Sequence, residues 1–454
     1  MLLPLLAFLC AIGVLVAVHE WGHFAVARLC GVKVLTFSIG FGPRLLAWTS
    51  ARTGTRYQIG ILPLGGFVKM LDEREAPVAA DDLPYAFNRQ PLKNRAAVVA
   101  AGPLANLLLA VLLYTGVYSL GISEPQAIVA APPAGSIAQK AGFRGAEKIM
   151  RAGWDEQEME AVRSFEDFRW WLTRAALEGR TLQVEYQRAD GQQLRQVELS
   201  FDTLDISHAD ASLFQSIGFV APHRPARLGD IAPASPAEAA GLQAGDLVLQ
   251  VNGLDMVDAT QLHTWIRQSG TRSLPQLQHW VVQRHGERLN LEITPRQEQE
   301  EGQTIGRVGA MIGSAPAMQT VRYGMWTSLQ KAGTKTWEVS ALTLRMMGNI
   351  VIGAASMSNL SGPLTIADYA GKSAALGLEQ FMLFLALVSI SLGVLNLLPL
   401  PLLDGGHLLY YGFEGITGNA VSESWQAGLQ RVGFVLLLAL MSIALFNDFS
   451  RLLS

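Results

Sequence analysis

The chain has 454 residues, half of them hydrophobic, with a formal net charge of −3 and only two cysteines. That length allows two or three modules, and the near-balanced charge without a basic low-complexity tract argues against a nucleic-acid partner. The apolar residues fall in long blocks between polar stretches, as in a membrane protein with substantial soluble parts. Cys10 and Cys30 lie on one apolar stretch, about 30 Å apart if it is helical at 1.5 Å per residue, so no disulfide framework is expected and cysteine says nothing of compartment.

The first block, Leu2 to Val18, reads as a membrane span and ends in His19-Glu20-Trp21-Gly22-His23, the H-E-x-x-H signature of zinc proteases. On a helix, His19 and His23 fall one turn apart on one face and can share a zinc ion, with Glu20 beside them as a base for water. Ionisable residues inside a membrane segment are costly and default to a functional reading. A cleaved signal peptide is the competing reading of this block. It requires a basic stretch before the apolar run, whereas here Arg28 and Lys33 follow it. That polarity puts the N-terminus outside and the end of the span on the cytoplasmic side.

After the span, Thr55 to Leu62 and Gly65 to Met70 read as short strands around a turn at Pro63-Leu64. An open strand edge there, at Gly65, Gly66 and Phe67, could take an extended peptide by β-augmentation, or the hairpin could serve packing alone. A second span, 96–120, follows the basic cluster Arg89, Lys93 and Arg95 and returns the chain to the outside.

The next region repeats itself at a spacing of about 99 residues. Ser136-Ile137-Ala138-Gln139-Lys140-Ala141-Gly142-Phe143 matches Ser235-Pro236-Ala237-Glu238-Ala239-Ala240-Gly241-Leu242. The second copy continues through Gly245-Asp246 to Asn252-Gly253, and the whole pattern resembles a PDZ domain of the bacterial protease type. In the first copy, Arg144-Gly145-Ala146-Glu147 shifts the glycine and Ala152-Gly153-Trp154 replaces the Asn-Gly turn. PDZ folds bind C-terminal peptides by strand addition, and Arg227 to Ile231 is the expected loop and strand. A steric role, roofing the active site against substrates with large outer domains, is the favoured alternative.

The stretch Trp337 to Ala355 is apolar but carries Arg345 and Asn349. Taken as an interfacial helix, with Trp326, Lys331 and Lys335 nearby, it lets the third span run inward and bring Asp404 to the depth of His19. That span begins near Leu376 and is interrupted by Pro399 and Pro401 before Leu403-Asp404-Gly405-Gly406. A fourth covers roughly Val432 to Phe446. A catalytic zinc takes three protein ligands and leaves one position open. The soluble extension of H-E-x-x-H is absent, since Val26 and Leu29 stand where Gly and His would be needed. Asp404 is the economical third ligand. Its other reading is a cap or turn aspartate, and His407, three residues on, is the competing ligand.

His19 to His23, the run Asn396-Leu397-Leu398-Pro399-Leu400-Pro401-Leu402-Leu403-Asp404-Gly405, and Gly102-Pro103-Leu104-Ala105-Asn106 together resemble the site-2 protease family. The resemblance covers essentially the whole chain. It implies Zn²⁺ held by His19, His23 and Asp404, Glu20 as general base, and substrate contacts by Asn396 and Pro399. It also implies a membrane-reentrant β-loop. The architecture expected is a polytopic α-helical membrane protein with four transmembrane helices (1–27, 96–120, 376–407 and 430–448) and a membrane-associated β-hairpin within 28–95. Two tandem periplasmic PDZ domains of α+β type (121–220 and 221–310) and interfacial helices (311–375) complete it. The expected location is the bacterial inner membrane, with the active site toward the cytoplasmic side. The expected substrates are single-span proteins already trimmed outside, such as an anti-sigma factor, and signal-peptide remnants. Two rivals stand beside this reading: a non-catalytic PDZ scaffold, and a membrane-anchored zincin taking a ligand from Glu73 or Glu75.

Overall fold

In the computed structural model, the described residues are 2–156, 158–188, 191, 193–202, 211–270, 276–300, 303–352 and 362–453. Two compact units result, one made of Met1–Ile122 with Arg322–Ser454 and the other of Ser123–Val321.

The first unit opens with helix α1, Leu2–Leu29. Its residues are apolar around most of the circumference, as a buried or lipid-facing helix requires. Strands β1 (Val34–Thr49) and β2 (Arg56–Met70) follow, then α2 (Leu92–Leu120). The unit is completed by α3 (Met325–Val351), α4 (Pro363–Leu376), α5 (Leu378–Asn396), α6 (Asp404–Thr417) and α7 (Glu423–Leu453). Three helices, Leu3–Leu29, Leu92–Leu120 and Leu378–Asn396, are long and apolar enough to cross a membrane.

Small residues draw the three together. A methyl group at Gly22 of α1 would press on the Ala101 carbonyl and the Ala105 side chain of α2, and one at Gly393 of α5 would lie 2.9 Å from the Pro103 oxygen. The backbones therefore approach where a larger residue would hold them apart. Ser389 adds a hydrogen bond to the Asn106 carbonyl at 2.7 Å. Ala11, Leu15 and Leu385 form the apolar seam between α1 and α5, flanked by Leu109 and Leu113 of α2.

Several boundaries differ from expectation. The two runs expected around Pro63-Leu64 belong to one bent strand, β2, which reverses direction between Ile59 and Gly66, and both pair with β1. The chain also reverses at Ser50 to Gly54, where the Ser50 N–H donates to Thr55 and the Gly54 N–H to Ser50. The register doubles back: Phe37 pairs with Val68 and with Tyr57, and Tyr57 pairs in turn with Trp48. Two long bent strands thus make four ribbons. Gly40 and Gly60 permit the bend, because Gly40 has φ +87° and side chains at either would strike backbone across the crossing. The third span ends as a helix at Asn396; the prolines fill a turn, and Asp404 opens the separate helix α6. Gly377, with φ +113°, divides α4 from α5. The fourth apolar block lies in the longer α7, and the stretch from Trp337 belongs to α3 with Trp326 and Trp337 exposed. Residues 353–355 of that stretch lie outside the described residues.

In the second unit the repeat becomes a repeated topology. Each copy holds a four-stranded sheet with the same strand order, built from 148–153, 160–161, 182–187 and 194–199 in the first and from 247–251, 254–255, 278–284 and 287–293 in the second. Ser136 and Ser235 cap equivalent short helices, accepting from the N–H of Gln139 and Glu238. Glu147 performs in the first copy what Asp246 performs in the second. Its buried carboxylate accepts the N–H groups of Arg144 and Gly145, so the shifted glycine is compensated by a longer acid. The strand Leu228–Ile231, expected to receive a peptide, is paired along one side and at its first residue on the other. It pairs with Ala310–Ile312, and Leu228 bonds across to Asp246.

Candidate active site

The helix α1 carries His19 and His23 on one face, and the turn from Leu397 to Leu403 brings the first residue of α6 against them. His19 Nε2 lies 3.3 Å and His23 Nε2 3.5 Å from Asp404 Oδ2, and the two imidazole nitrogens are 3.3 Å apart. Tetrahedral zinc with bonds of about 2.0–2.1 Å needs ligand atoms roughly 3.3 Å apart. All three edges meet that requirement. Among the described residues, these three are the one group whose donor atoms converge in this way. His407, the competing ligand, is not part of it.

Helix α2 holds the two rings from behind. His23 Nδ1 is 2.8 Å from the Val98 carbonyl, and His19 Nδ1 is 3.2 Å from the Asn106 amide nitrogen. Both Nδ1 atoms are thereby engaged, and both Nε2 atoms point to the centre. Gly102, between these two contacts on α2, has no side chain because the His23 ring occupies that space; an added methyl would lie 2.6 Å from Cε1. Asn106 is fully buried, and its Oδ1 has no hydrogen-bond partner among the described residues. An amide can exchange its oxygen and nitrogen by a half-turn, so the same side chain can present oxygen to His19.

Glu20 is 8% exposed and within electrostatic range of both histidines and Asp404. The edge of the β-sheet passes directly over it: a methyl group on Gly66 would stand 2.8 Å from Glu20 Cγ. Gly66 pairs with Ile39, and among the described residues no strand pairs with the other edge of Gly66–Lys69. Beside it, Phe67 stacks on Phe41 at 6.2 Å, and the Phe41 ring fills the space a Gly65 side chain would need. Asn396 ends α5, and Pro399 is exposed in the turn leading to Asp404. Neither makes a described contact with the histidines. Glu73 pairs with Arg89 and Asn88 away from the cluster, and Glu75 pairs with Lys69.

The sequence reading had overlooked Asn106 and the Val98 carbonyl as partners of the ligands. A signal for Asn106 did exist, since a side-chain amide well inside a 29-residue apolar helix is costly without a task.

The chain is 40% identical over 463 residues to a Ralstonia nicotianae protein named "Putative zinc metalloprotease RSc1411", covering 99% of both. It is 38% identical over 461 residues to the Escherichia coli (strain K12) "Regulator of sigma-E protease RseP", and 37% identical over 458 residues to the Salmonella typhi "Regulator of sigma E protease". Each of these matches covers 99% of this chain and 98% of the relative. The profile of Peptidase family M50 matches residues 7–440, and with apolar helices around an H-E-x-x-H pair the chain belongs to that family as a membrane-type metalloprotease.

Proposed function

We propose that this protein is a zinc-dependent intramembrane endopeptidase, a site-2 protease, with His19, His23 and Asp404 as zinc ligands and Glu20 as general base. The observation that carries the reading is the triangle of donor atoms with edges of 3.3, 3.3 and 3.5 Å, two of its corners on a helix long and apolar enough to cross a bilayer. Zinc would lower the pKa of a bound water toward about 7 and polarise the scissile carbonyl as a Lewis acid. Glu20 accepts the proton of that water and returns it to the leaving amine. Asn106, turned with its oxygen toward Nδ1–H of His19, keeps that imidazole in the tautomer whose Nε2 lone pair is free. The Val98 carbonyl does the same for His23.

A helical substrate conceals its carbonyls in its own hydrogen bonds, so it must be unwound before it is cut. The free edge at Gly65, Gly66 and Phe67, lying over Glu20, is suited to hold an extended segment by strand addition, with Asn396 and Pro399 at the far side of the site. The membrane arrangement proposed is four spans, with α7 as the fourth and the repeated domains, of PDZ type, on the periplasmic side of a bacterial inner membrane. The names of the relatives point to sigma-E regulation. The substrates proposed are accordingly single-span proteins already trimmed outside, an anti-sigma factor among them, together with signal-peptide remnants. Within the repeated unit we favour a steric filter over peptide capture, since the expected receiving strand, Leu228–Ile231, already pairs with Ala310–Ile312 along one side and bonds through Leu228 on the other.

The test is cleavage of a single-span substrate lacking its outer domain by purified wild type and Glu20→Gln, with bound zinc measured for both. Cleavage by wild type alone, a loss of at least about 1,000-fold in the variant, with zinc in both, is expected. Zinc bound by Asp404→Ala as tightly as by wild type would remove Asp404 from the site and favour a zincin of another kind.

A further inference from the structure

Helix α6 delivers Asp404 to the site, and what holds α6 is a separate question from what surrounds the ligand. Its start is pinned sterically: side chains at Gly405 and Gly406 would strike the carbonyls of Leu397, Leu398 and Leu400. That turn contains Pro399 and Pro401 and can fix one end of the helix but not its direction. The other end is fixed by charge. Arg95, in the first turn of α2, donates through Nη1 and Nη2 to the two oxygens of Glu414 at 3.2 and 2.6 Å. The same guanidinium donates through Nε to the Gln90 carbonyl at 3.1 Å and lies 5.1 Å over the Tyr411 ring. The pair is mostly shielded from solvent, at 15% and 21% exposure. A fork-to-fork contact of this kind sets orientation as well as distance, which a single ammonium does not.

Arg95, Val98, Gly102 and Asn106 recur every three or four residues and therefore form one stripe on α2. Along that stripe α2 grips α6 at Glu414, His23 through the Val98 carbonyl, and His19 through Asn106. We infer that Arg95 and Glu414 are positioning residues for the metal centre: they fix the direction of α6, and so the place of Asp404 about 15 Å away along the helix, from the helix that orients both histidines. The inference rests on the reading of His19, His23 and Asp404 as the zinc site.

The experiment is zinc retention by the full-length protein in detergent during challenge with a competing chelator. Wild type, Glu414→Gln, Arg95→Lys, the exchange Arg95→Glu with Glu414→Arg, and Asp404→Ala are compared, with thermal unfolding of each metal-free protein alongside. Glu414→Gln should release zinc about ten times faster than wild type, Arg95→Lys should fall between, and the exchange should recover to within about threefold. The metal-free unfolding temperatures should stay together. Zinc retention in Glu414→Gln equal to wild type would overturn the inference, as would loss of zinc only in proportion to lost metal-free stability. If wild type and Asp404→Ala hold zinc equally, the underlying zinc reading fails instead, and the two failures are distinct.

Discussion

At Gly102 the protein leaves a side chain out so that a ligand can be placed. Gly102→Ala would drive a methyl group into the His23 ring, moving Nε2 off the centre while leaving the helix-forming tendency of α2 improved. We expect zinc affinity to fall by at least about tenfold with α-helical content unchanged, measured by metal titration and far-ultraviolet circular dichroism. Asn106→Leu keeps the branching at Cγ but removes the partner of His19 Nδ1, and loss of a metal ligand's outer partner costs about 10- to 100-fold in affinity. An Asn106→Leu protein that binds zinc like wild type would show that packing alone orients His19. The spacing of His19 and His23 made these two ligands legible in the sequence, because one helical turn is a local property. That Asn106 would meet His19 was not, because a partner 87 positions away leaves no mark on the local pattern, although an amide inside an apolar helix signals a task.

Among the elements, the bent sheet has the closest tie to catalysis. Its edge reaches Glu20 because β2 doubles back around Pro63 and Leu64, and its last run, 66–70, is held by β1 on one side only. Gly66→Ala would press on Glu20 Cγ and on the Ser38 carbonyl, lifting the edge from the site. Cleavage should drop by about tenfold or more while bound zinc stays stoichiometric. Parallel loss of both would assign the strand to supporting the metal rather than the substrate. The turn expected at Pro63-Leu64 illustrates how far strand signals reach. Proline usually ends a central strand, but here it lies at the bend between ribbons, where the irregular register asks less of its missing N–H. Likewise, Asp404 as the first residue of a new helix was not foreseen, since two prolines announce an interruption without saying where the chain goes next.

Across the whole molecule, the repeated unit is held by its own buried charges and can be tested apart from the metal. Burial alone would push the Asp246 carboxyl up, but hydrogen bonds from Arg284 at 2.7 and 2.8 Å and from the Gln243 N–H outweigh it and hold the group below the usual carboxylate range. Because the folded value lies below the unfolded one, this stabilisation is present above about pH 4 and is lost as pH falls through the folded value. Asp246→Asn should therefore cost about 2 kcal/mol at pH 7, seen as faster amide exchange in Leu247–Val251, and the gap to wild type should narrow on acidification below pH 4. The sequence by itself determined what local periodicity encodes: the apolar spans, the facing histidines, and the 99-residue repeat, whose equivalent caps at Ser136 and Ser235 recur in space. Only the tertiary structure decided that β1 pairs β2, that α5 and α6 are separate helices, and that one stripe of α2 reaches His19, His23 and the helix of Asp404. Those are pairings between distant segments, selected by close packing and bidentate geometry, and no window of neighbouring residues contains them.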